Sequence, residues 1–350
     1  MKKFFAAANT ENGFFSLFDE VFAPEKFHRI YILKGGPGTG KSTLMKKIGE
    51  AAEKKGYDAE YICCSSDPDS LDGILIEALS VAVLDGTAPH TTDPVYPGAV
   101  ERIVNLGEAF DFRLLEEKRD DLLPLLQAKK DSYRTAYRFL SAVGRIEKEN
   151  DELMRSFYLS EKASAAIKRM ISSFGARGNG QTKNRYISAI CGKGVYRLDT
   201  LAGQANKIYA ITDKNGSGYL FMDTLYARLC EERFSMTVCR SPVTGERTEA
   251  IFLEEERILF TVDFGQELSF ADKVINSMRF VDKEKMAQKR QRLRFIGKCR
   301  AAVLDGAVSC FEEAGVFHRE AERLYGACVR FSEVEVITEK IIGEIFANNV

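Results

Sequence analysis

The sequence contains two copies of one pattern that follow each other in nearly constant register. Residues 38–40 (Gly-Thr-Gly) align with residues 216–218 (Gly-Ser-Gly) at an offset of 178 (216 minus 38). Further along, Asn105 aligns with Asn276 at an offset of 171 (276 minus 105). Single identities prove little, but ordered matches across the whole of each half are hard to obtain by chance. The sequence therefore predicts a tandem duplication, in which the chain makes one fold twice.

The stretch "GARGNGQTKN" at residues 175–184 separates the two copies. Its glycines and polar residues are typical of a linker. We therefore expect a first domain at residues 1–174 and a second domain at residues 185–350. The length of 350 residues agrees with this division, because a domain commonly contains roughly 100–200 residues.

The composition is that of a soluble globular protein, with 45% hydrophobic and 29% charged residues. The net charge of -1 argues against a globally basic nucleic-acid-binding protein and leaves a local basic patch open. The first apolar run ends at Ala8, which is short for the roughly 7–15 apolar residues of a signal peptide. No stretch is long and apolar enough to span a bilayer. We expect a cytoplasmic protein whose eight cysteines are reduced thiols.

A phosphate-binding motif begins at residue 35, where the sequence matches G-x-x-x-x-G-K-[ST]. An apolar strand, "RIYILK", precedes it, and a helical pattern follows it over residues 41–56. Glycines leave backbone N–H groups free to surround a phosphate, and the start of the helix adds a positive dipole end. Lys41 is predicted to contact the β- and γ-phosphates, and Ser42 to bind Mg²⁺. The predicted nucleotide-binding residues are Gly35, Gly36, Pro37, Gly38, Thr39, Gly40, Lys41, Ser42 and Thr43.

A second metal ligand is predicted at Asp85, which ends the apolar run "VAVLD" as a Walker B aspartate does. Gly86 follows it, whereas many ATPase motors have a water-activating glutamate there, so the base must come from elsewhere or hydrolysis must be slow. The candidate catalytic residues are Lys41, Asp85 and Asp67. Asp67 belongs to "SSDPDSLDG", whose carboxylates either orient water or form a turn and a helix cap. His90 is either a γ-phosphate sensor or an ordinary loop histidine.

The second copy of the motif has lost the residues that carry its chemistry. Tyr219 stands where Lys41 stands in the first copy, and Leu220 stands where Ser42 stands. Tyrosine supplies no cation and leucine binds no magnesium. We expect the second copy to keep the fold, to lose ordinary Mg·NTP binding, and to act as a structural, regulatory or site-completing element.

The chain also resembles a bacterial family of proteins built from two fused P-loop ATPase-like halves. The resemblance rests on "FFAAANTENGF", "ILKGGPGTGKSTLMKKIG" and "CSSDPDSLDG…VAVLDGTAPHTTDPVYPGAVERIVNLGE". It covers the first half closely and the second half loosely. It implies ATP binding at residues 35–43 and gives the preference for ATP over GTP, and it implies no particular substrate. The guanine-reading N-K-x-D motif is absent from the sequence.

Each copy ends in a strongly helical stretch that predicts two or three helices in an antiparallel arm or cap, with Pro124 as a kink or break and Gly144 as an end. Residues 283–300 of the second arm carry a local charge of +7, from eight basic residues and Glu284. This segment is either a solvated face or a contact for nucleic acid, anionic lipid or an acidic partner. Arg177 and Arg240 are positional candidates for an arginine finger. The basic residues are Lys283, Lys285, Lys289, Arg290, Arg292, Arg294, Lys298 and Arg300.

Taken together, the sequence predicts an α/β protein with a P-loop NTPase fold, a degenerate second copy and long helical insertions in both copies. The predicted reaction is slow hydrolysis of ATP with Mg²⁺, used as a switch. Two alternatives stay open. One is a small-molecule or nucleotide kinase whose acceptor binds at the "SSDPD" loop. The other is an ATP-gated protein that binds nucleic acid or another partner through residues 283–300.

Overall fold

Two six-stranded mixed sheets form the centre of the protein, one from each half of the chain. A computed structural model describes residues 2–175, 178–263, 265 and 269–347. The strands of the first half are β1 (Lys2–Phe5), β2 (Ala7–Thr10), β3 (Gly13–Ser16), β4 (Arg29–Lys34), β5 (Glu60–Cys63), β6 (Leu71–Ile76), β7 (Val81–Asp85) and β8 (Glu101–Asn105). Strands β2 and β3 form a separate hairpin. The first sheet has the order β1-β5-β6-β7-β4-β8, and β6 runs antiparallel to its two neighbours while the other pairs are parallel.

The second half repeats this arrangement strand for strand. Its strands are β9 (Thr182–Arg185), β10 (Ser188–Cys191), β11 (Gly194–Arg197), β12 (Lys207–Thr212), β13 (Met236–Arg240), β14 (Thr248–Leu253), β15 (Ile258–Val262) and β16 (Lys273–Asn276). Strands β10 and β11 form the hairpin, and the sheet has the order β9-β13-β14-β15-β12-β16 with β14 antiparallel to its neighbours. The α/β class is therefore confirmed, and the matching strand orders are compatible with a duplicated α/β domain.

The helices also correspond between the two halves. They are α1 (Phe18–Val21), α2 (Lys41–Lys54), α3 (Phe112–Glu117), α4 (Arg119–Arg155), α5 (Ser160–Ile171), α6 (Ser217–Glu231), α7 (Lys283–Gln288), α8 (Arg290–Gly326) and α9 (Phe331–Ala347). Helices α2 and α6 each follow the first central strand of their half, and α4 and α8 are each 37 residues long. In the described part of the chain, no helix combines the length and the apolar character that crossing a membrane requires.

The helix-like stretch "ILIEAL" at residues 74–79 is divided between strand β6 and a 3₁₀ helix at Glu77–Leu79, so a helical interpretation is wrong for its first half. Its first three residues end strand β6, and all six residues of β6 are buried. A short apolar run buried on both faces shows no period that separates a strand from a helix. The β-branched Ile74 and Ile76 suit the strand, which pairs with β5 on one side and β7 on the other.

The predicted break at Pro124 and the predicted end at Gly144 are also wrong, because α4 continues through both positions. Pro124 lies near the start of the helix, where few preceding turns are disturbed. Gly144 faces the Glu11 side chain so closely that an added Cβ would lie 2.7 Å from the Cβ of Glu11. The glycine thus permits close packing of α4 against the β2–β3 hairpin and does not terminate the helix.

Helices α4 and α8, which we call the arms, pack against each other in antiparallel fashion. Ser132 near one end donates a hydrogen bond to Glu313, and Glu147 near the other end accepts one from Arg300. Each arm is about 55 Å long at 1.5 Å per residue. Each predicted helical stretch therefore contains three helices, but the antiparallel partner of its long helix comes from the other copy.

The two halves exchange their last helices. Ile167 and Ile171 of α5, from the first copy, pack in the core of the second sheet with Phe221 of α6. Ile341 of α9, from the second copy, packs in the core of the first sheet with Ile48 of α2. Each core is completed by a helix of the other copy, so the boundary between sequence copies near residues 175–184 does not coincide with a boundary in packing.

Candidate functional site

The glycine-rich loop at residues 35–40, which we call the first loop, joins β4 to α2. Gly38 and Gly40 have φ angles of +69° and +86°, which side chains with a Cβ rarely adopt. The Thr39 hydroxyl donates a hydrogen bond of 2.9 Å to the carbonyl oxygen of Gly36 and is buried beneath the loop. Pro37 is half-buried on the loop. The loop thus encloses the start of α2, where unpaired helical N–H groups favour an anion.

Lys41 lies against this loop. Its Nζ donates hydrogen bonds of 2.9 Å to the carbonyl oxygens of Gly35 and Gly36. The same Nζ lies 3.6 Å from Oδ2 of Asp85, and both side chains are mostly buried. The structure therefore brings together the two residues that the sequence predicted for phosphate and metal, although β4 and β7 are separated in sequence by more than one helix.

Asp85 is held by Thr87, which donates to its Oδ1 from the backbone N–H at 2.8 Å and from the hydroxyl at 2.6 Å. Oδ2 remains directed toward Lys41. Burial raises the pKa of the Asp85 carboxyl, and the Lys41 ammonium and the Thr87 hydrogen bonds oppose that shift. Asp85 is thus a carboxylate in a poorly solvated position beside a cation, as a metal ligand commonly is.

Ser42 and Thr43 occupy the first turn of α2. The Ser42 hydroxyl accepts a hydrogen bond of 3.0 Å from the backbone N–H of Leu71, which ties the start of α2 to the start of β6. A hydroxyl oxygen has two lone pairs, so one remains for a metal ion. Thr43 is exposed. These positions fit the predicted metal and phosphate contacts.

Asp67 takes part in a local turn. Its Oδ2 accepts a hydrogen bond of 2.7 Å from the Ser70 hydroxyl, and its Oδ1 lies 3.4 Å from the backbone N–H of Asp69. Asp67 therefore forms the turn that was one of its two predicted roles. Asp67 also faces the second half, because it acts electrostatically on His318 of α8.

Asp72, another carboxylate of "SSDPDSLDG", forms a buried pair with His90. Asp72 is a buried residue of β6 next to Gly73, which pairs with Leu84 of β7, so the carboxylate lies beside the end of β7 that carries Asp85. Nε2 of His90 lies 3.0 Å from Oδ2 of Asp72. The His90 ring stacks on Phe18 at 4.3 Å. An aspartate inside the apolar run "LDGILI" was the signal for this site.

Gly86 leaves no space for the glutamate that many ATPases have after the Walker B aspartate. A Cβ added to Gly86 would lie 2.4 Å from Cγ2 of Ile32 in β4. The fully buried, branched side chain of Ile32 would have to move to admit it. The absence of a carboxylate at this position is therefore built into the packing of β4 against β7.

The arm α8 of the second half covers the first loop. A Cβ added to Gly38 would lie 2.6 Å from the carbonyl oxygen of Glu322, and one added to Gly36 would lie 3.5 Å from the Tyr325 ring. The backbone N–H of Gly38 faces the Glu322 carboxylate and lowers its pKa, while burial raises it more. The first loop is thus in contact with a segment more than 280 residues away in sequence (322 minus 38).

A pair of basic side chains completes this cover. Nζ of Lys129, from α4, lies 2.9 Å from Nδ1 of His318, from α8. Burial lowers the pKa of Lys129, and burial together with the Lys129 charge lowers the pKa of His318 to about 4. Neither residue belongs to a recognisable motif, and the one sequence signal for the pair is the offset of 171, which relates it to Arg300 and Glu147.

The second loop, residues 213–216, is filled by the protein itself. Asp213 stands in the position of Gly35 (213 minus 178), and its carboxylate accepts hydrogen bonds of 3.1 Å and 2.7 Å from the backbone N–H groups of Gly216 and Gly218. Helix α6 begins at Ser217, the counterpart of Thr39, so the loop is two residues shorter than the first loop. Amide groups that would bind a phosphate already bind a carboxylate.

The surroundings of the second loop are closed in the same way. Arg247 is buried, lies 5.1 Å from the Tyr219 ring, and forms ion pairs of 3.0 Å with Glu147 and 2.7 Å with Asp151 of α4. The structural counterpart of Asp85 is Val262, since both pair with the central strand at equivalent positions. In the second half, Val262 thus stands where the first half has Asp85.

The basic segment at residues 283–300 is partly neutralised by the other arm. Arg292 and Arg300 form ion pairs with Glu149 and Glu147 of α4, and Lys285 pairs with Asp282 at 3.5 Å. The remaining basic residues of the segment are exposed. They are Lys283, Lys289, Arg290, Arg294 and Lys298.

The structure describes only one of the two arginine-finger candidates, Arg240. Arg240 donates hydrogen bonds to the carbonyl oxygen of Glu246 and the hydroxyl of Thr248, and stacks on Tyr226 at 4.3 Å, so it is held within the second half. Arg177 lies outside the residues that the structure describes.

Comparison of the chain with protein-family models, with curated proteins and with solved structures found no match. The geometry of the site is therefore the basis for any assignment of function.

Proposed function

We propose that the protein has a P-loop NTPase fold, binds Mg·ATP at the first loop, and hydrolyses it slowly as a nucleotide-driven switch. The observation that carries the proposal is the position of Lys41, which contacts the first loop and lies 3.6 Å from Asp85. A glycine-rich loop between a buried parallel strand and a helix presents N–H groups to phosphates, and a lysine there balances their charge. ATP is preferred to GTP on the basis of the sequence resemblance.

The residues present fit a magnesium ion. Oδ2 of Asp85 is left open by the Thr87 hydrogen bonds, which both go to Oδ1, and the Ser42 hydroxyl keeps a lone pair. Hard oxygen ligands of this kind suit Mg²⁺, which when bound would neutralise charge on the phosphates. Asp85 and Ser42 hold the ion in this proposal, and Lys41 holds the phosphates.

Slow turnover follows from the lack of a well-placed base. Gly86 has no space for a glutamate, and Asp67 is engaged by Ser70 in its turn. Asp67 remains the candidate that orients water from the loop. Asp72 is next to Asp85 on the sheet but lies 3.0 Å from His90. A site with a complete phosphate cradle and a weak base binds nucleotide for long periods, which suits a switch.

The test is a titration of Mg·ATP and Mg·GTP against the purified protein, with phosphate release measured beside it. We expect Lys41→Ala to lose ATP binding and phosphate release. Lys54→Ala is the matched control, because Lys54 lies on the same helix and is exposed. Equal binding by Lys41→Ala and the unchanged protein would contradict the proposal. Binding without phosphate release would instead favour the kinase alternative, in which an acceptor at the "SSDPD" loop is required.

A second candidate function rests on the exposed part of the basic segment. Within the described part of the chain, five exposed basic side chains of this segment form no ion pair, and Phe295 among them is 68% exposed. Basic residues with an exposed aromatic ring are typical of binding to single-stranded nucleic acid. We infer that this segment is the candidate surface for a nucleic-acid partner whose binding depends on the nucleotide.

The second test measures retention of a single-stranded oligonucleotide at low and high salt, with and without ATP. The variants are Lys289→Glu and Arg294→Glu, since Arg292 is already paired with Glu149. Lys118→Glu is the matched control, because Lys118 holds the position of Lys289 in the first copy (289 minus 171). Retention that disappears with salt and with Lys289→Glu supports the surface, and no retention at low salt excludes it.

A further inference from the structure

We propose that Lys129 of α4 and His318 of α8 bind the terminal phosphate of the nucleotide, in the position that the Glu322 carboxylate approaches in the free protein. This inference rests on the proposed function and adds to it a contact from each arm. The site would then recognise a nucleoside triphosphate by its last phosphate and tie both arms to it.

Glu322 of α8 lies against the first loop. The loop that is built to bind anions has an acidic side chain in front of it, because the Gly38 N–H faces the Glu322 carboxylate. Helix α8 lies directly on the loop, as the 2.6 Å approach of the Glu322 carbonyl oxygen to an added Cβ on Gly38 shows. A phosphate at the same N–H group must therefore displace this carboxylate.

The pair of arm residues beside the first loop differs from the pair beside the second loop. In the second half, Arg300 and Glu147 form an ion pair of 2.7 Å between the arms. The offset of 171 relates Arg300 to Lys129 and Glu147 to His318. At the first loop, therefore, a cation keeps its place and its carboxylate partner is replaced by an imidazole. Among the residues that the structure describes, Lys129 contacts His318 and no carboxylate forms an ion pair with it.

This pair lies in a positive electrostatic field. Two basic groups 2.9 Å apart in a half-buried site repel each other when both are protonated. Lys41 adds to the positive field, since it lowers the pKa of both groups. Glu322 and Asp67 are the acids that oppose this field. The pKa of His318 is lowered to about 4, so the imidazole is neutral at pH 7 and leaves the Lys129 charge without a carboxylate ion-pair partner among the described residues. An external anion would balance that charge, and the terminal phosphate of a nucleotide on the first loop is an anion of the right kind.

The two halves are asymmetric at their loops. The degenerate loop is closed by Asp213 and by Arg247 with its two acids, and the arm cation beside it, Arg300, is paired with Glu147. The intact loop is the one that keeps an unmatched cation on the arm above it. An intact phosphate loop and an unmatched cation therefore occur at the same end of the arms.

The experiment is calorimetric titration of Mg·ATP and Mg·ADP into the full chain. We expect Lys129→Met and His318→Gln to weaken ATP binding about 10-fold or more, as loss of a charge-assisted hydrogen bond does, and to change ADP binding by less than about 3-fold. Methionine keeps the length of the lysine, so packing between the arms is retained. Lys130→Met, at the exposed neighbouring position, is the control.

Glu322→Gln supplies an independent variant. Because it removes the competing negative charge, we expect tighter ATP binding, whereas Glu320→Gln, whose side chain pairs with Arg323, should bind as before. If the unchanged protein binds neither nucleotide, the proposed function itself fails. If it binds both and Lys129→Met weakens ATP and ADP equally, or weakens neither, the function stands and the terminal-phosphate contact is overturned.

Discussion

The carboxylate of Asp213 accepts a hydrogen bond of 2.7 Å from the backbone N–H of Gly218, so the second loop binds an anion that belongs to its own chain. It also accepts one of 3.1 Å from the N–H of Gly216, and both glycines are buried. The first loop has a glycine, Gly35, where the second has this aspartate. The side chain at this position thus fills the second loop, whereas Gly35 adds no side chain to the first loop.

This contact predicts that Asp213→Ala destabilises the protein without affecting nucleotide binding at the first loop. Two buried N–H groups lose a charged acceptor, and we expect the free energy of unfolding to fall by about 1–2 kcal/mol. Urea unfolding at pH 7 measures it. Asp58→Ala, at a 93% exposed side chain, should be neutral. A change in ATP affinity with Asp213→Ala would show that the second loop acts on the first.

A second prediction concerns restoring the lost residues. We expect the double variant Tyr219→Lys, Leu220→Ser to bind no second ATP. The second loop is two residues shorter than the first, and Val262 stands in place of Asp85. The Asp213 carboxylate also still accepts the hydrogen bonds of the loop N–H groups. Equilibrium dialysis with Mg·ATP should give the same number of bound nucleotides per chain for the double variant and the unchanged protein. An additional bound nucleotide would show that side-chain loss alone inactivated the copy.

The sequence was sufficient for the parts of the fold and site that are local. The repeat predicted two equivalent halves, and the motif predicted the strand, loop and helix around Lys41. Register within one half then placed Asp85 near it. These features depend on residues that are close in sequence or on neighbouring strands. Motifs and hydrophobic periodicity predict such local features directly.

The sequence was not sufficient for contacts between the halves. The periodicity of α4 and α8 is the same whether a helix folds back on itself or pairs with its copy, so it did not identify the partner. Ile341 looks like a core residue of its own half, yet it packs with Ile48 of the other. Glu322 and His318 reach the first loop through this exchange. Side chains on a distant helix give no local signal of the loop they cover.

A third prediction tests the closed cluster at the second loop. Arg247 is 7% exposed and Glu147 is 1% exposed, and they pair at 3.0 Å. Arg247→Met leaves Glu147 and Asp151 with less positive charge in a buried place, and we expect a loss of about 3 kcal/mol in the free energy of unfolding.

Chemical unfolding measures this loss, and Arg134→Met is its control. Arg134 pairs with Asp131 at 2.6 Å on the surface, where such a pair contributes about 0–1 kcal/mol. Similar effects of the two variants would mean that the Arg247 cluster is not a buried ion-pair network in solution.

The last prediction is a pH dependence of stability that comes from His318. Its pKa is lowered to about 4, first by burial and next by Lys129, with Lys41 and Arg319 adding and Asp67 opposing. Glu322, one turn along α8, also faces it at 3.5 Å. In the unfolded chain the pKa of histidine is near 6.5, so between pH 6.5 and pH 4 the unfolded state binds the extra proton. Stability from this group is complete above pH 6.5 and is lost as the pH falls toward 4.

The measurement is urea unfolding at several pH values for the unchanged protein and for His318→Gln. Glutamine does not titrate, so subtracting the two curves removes the contributions of Asp85, Glu322 and the other acids. We expect the difference to shrink by about 1–2 kcal/mol from pH 7 to pH 4, less than the full shift implies because a third of the His318 side chain is exposed. His28→Gln, at an exposed histidine, should reproduce the unchanged curve. A difference in unfolding free energy that stays constant with pH would mean that the imidazole has the same pKa in the folded and unfolded states. Lys129 would then not lower the pKa of His318.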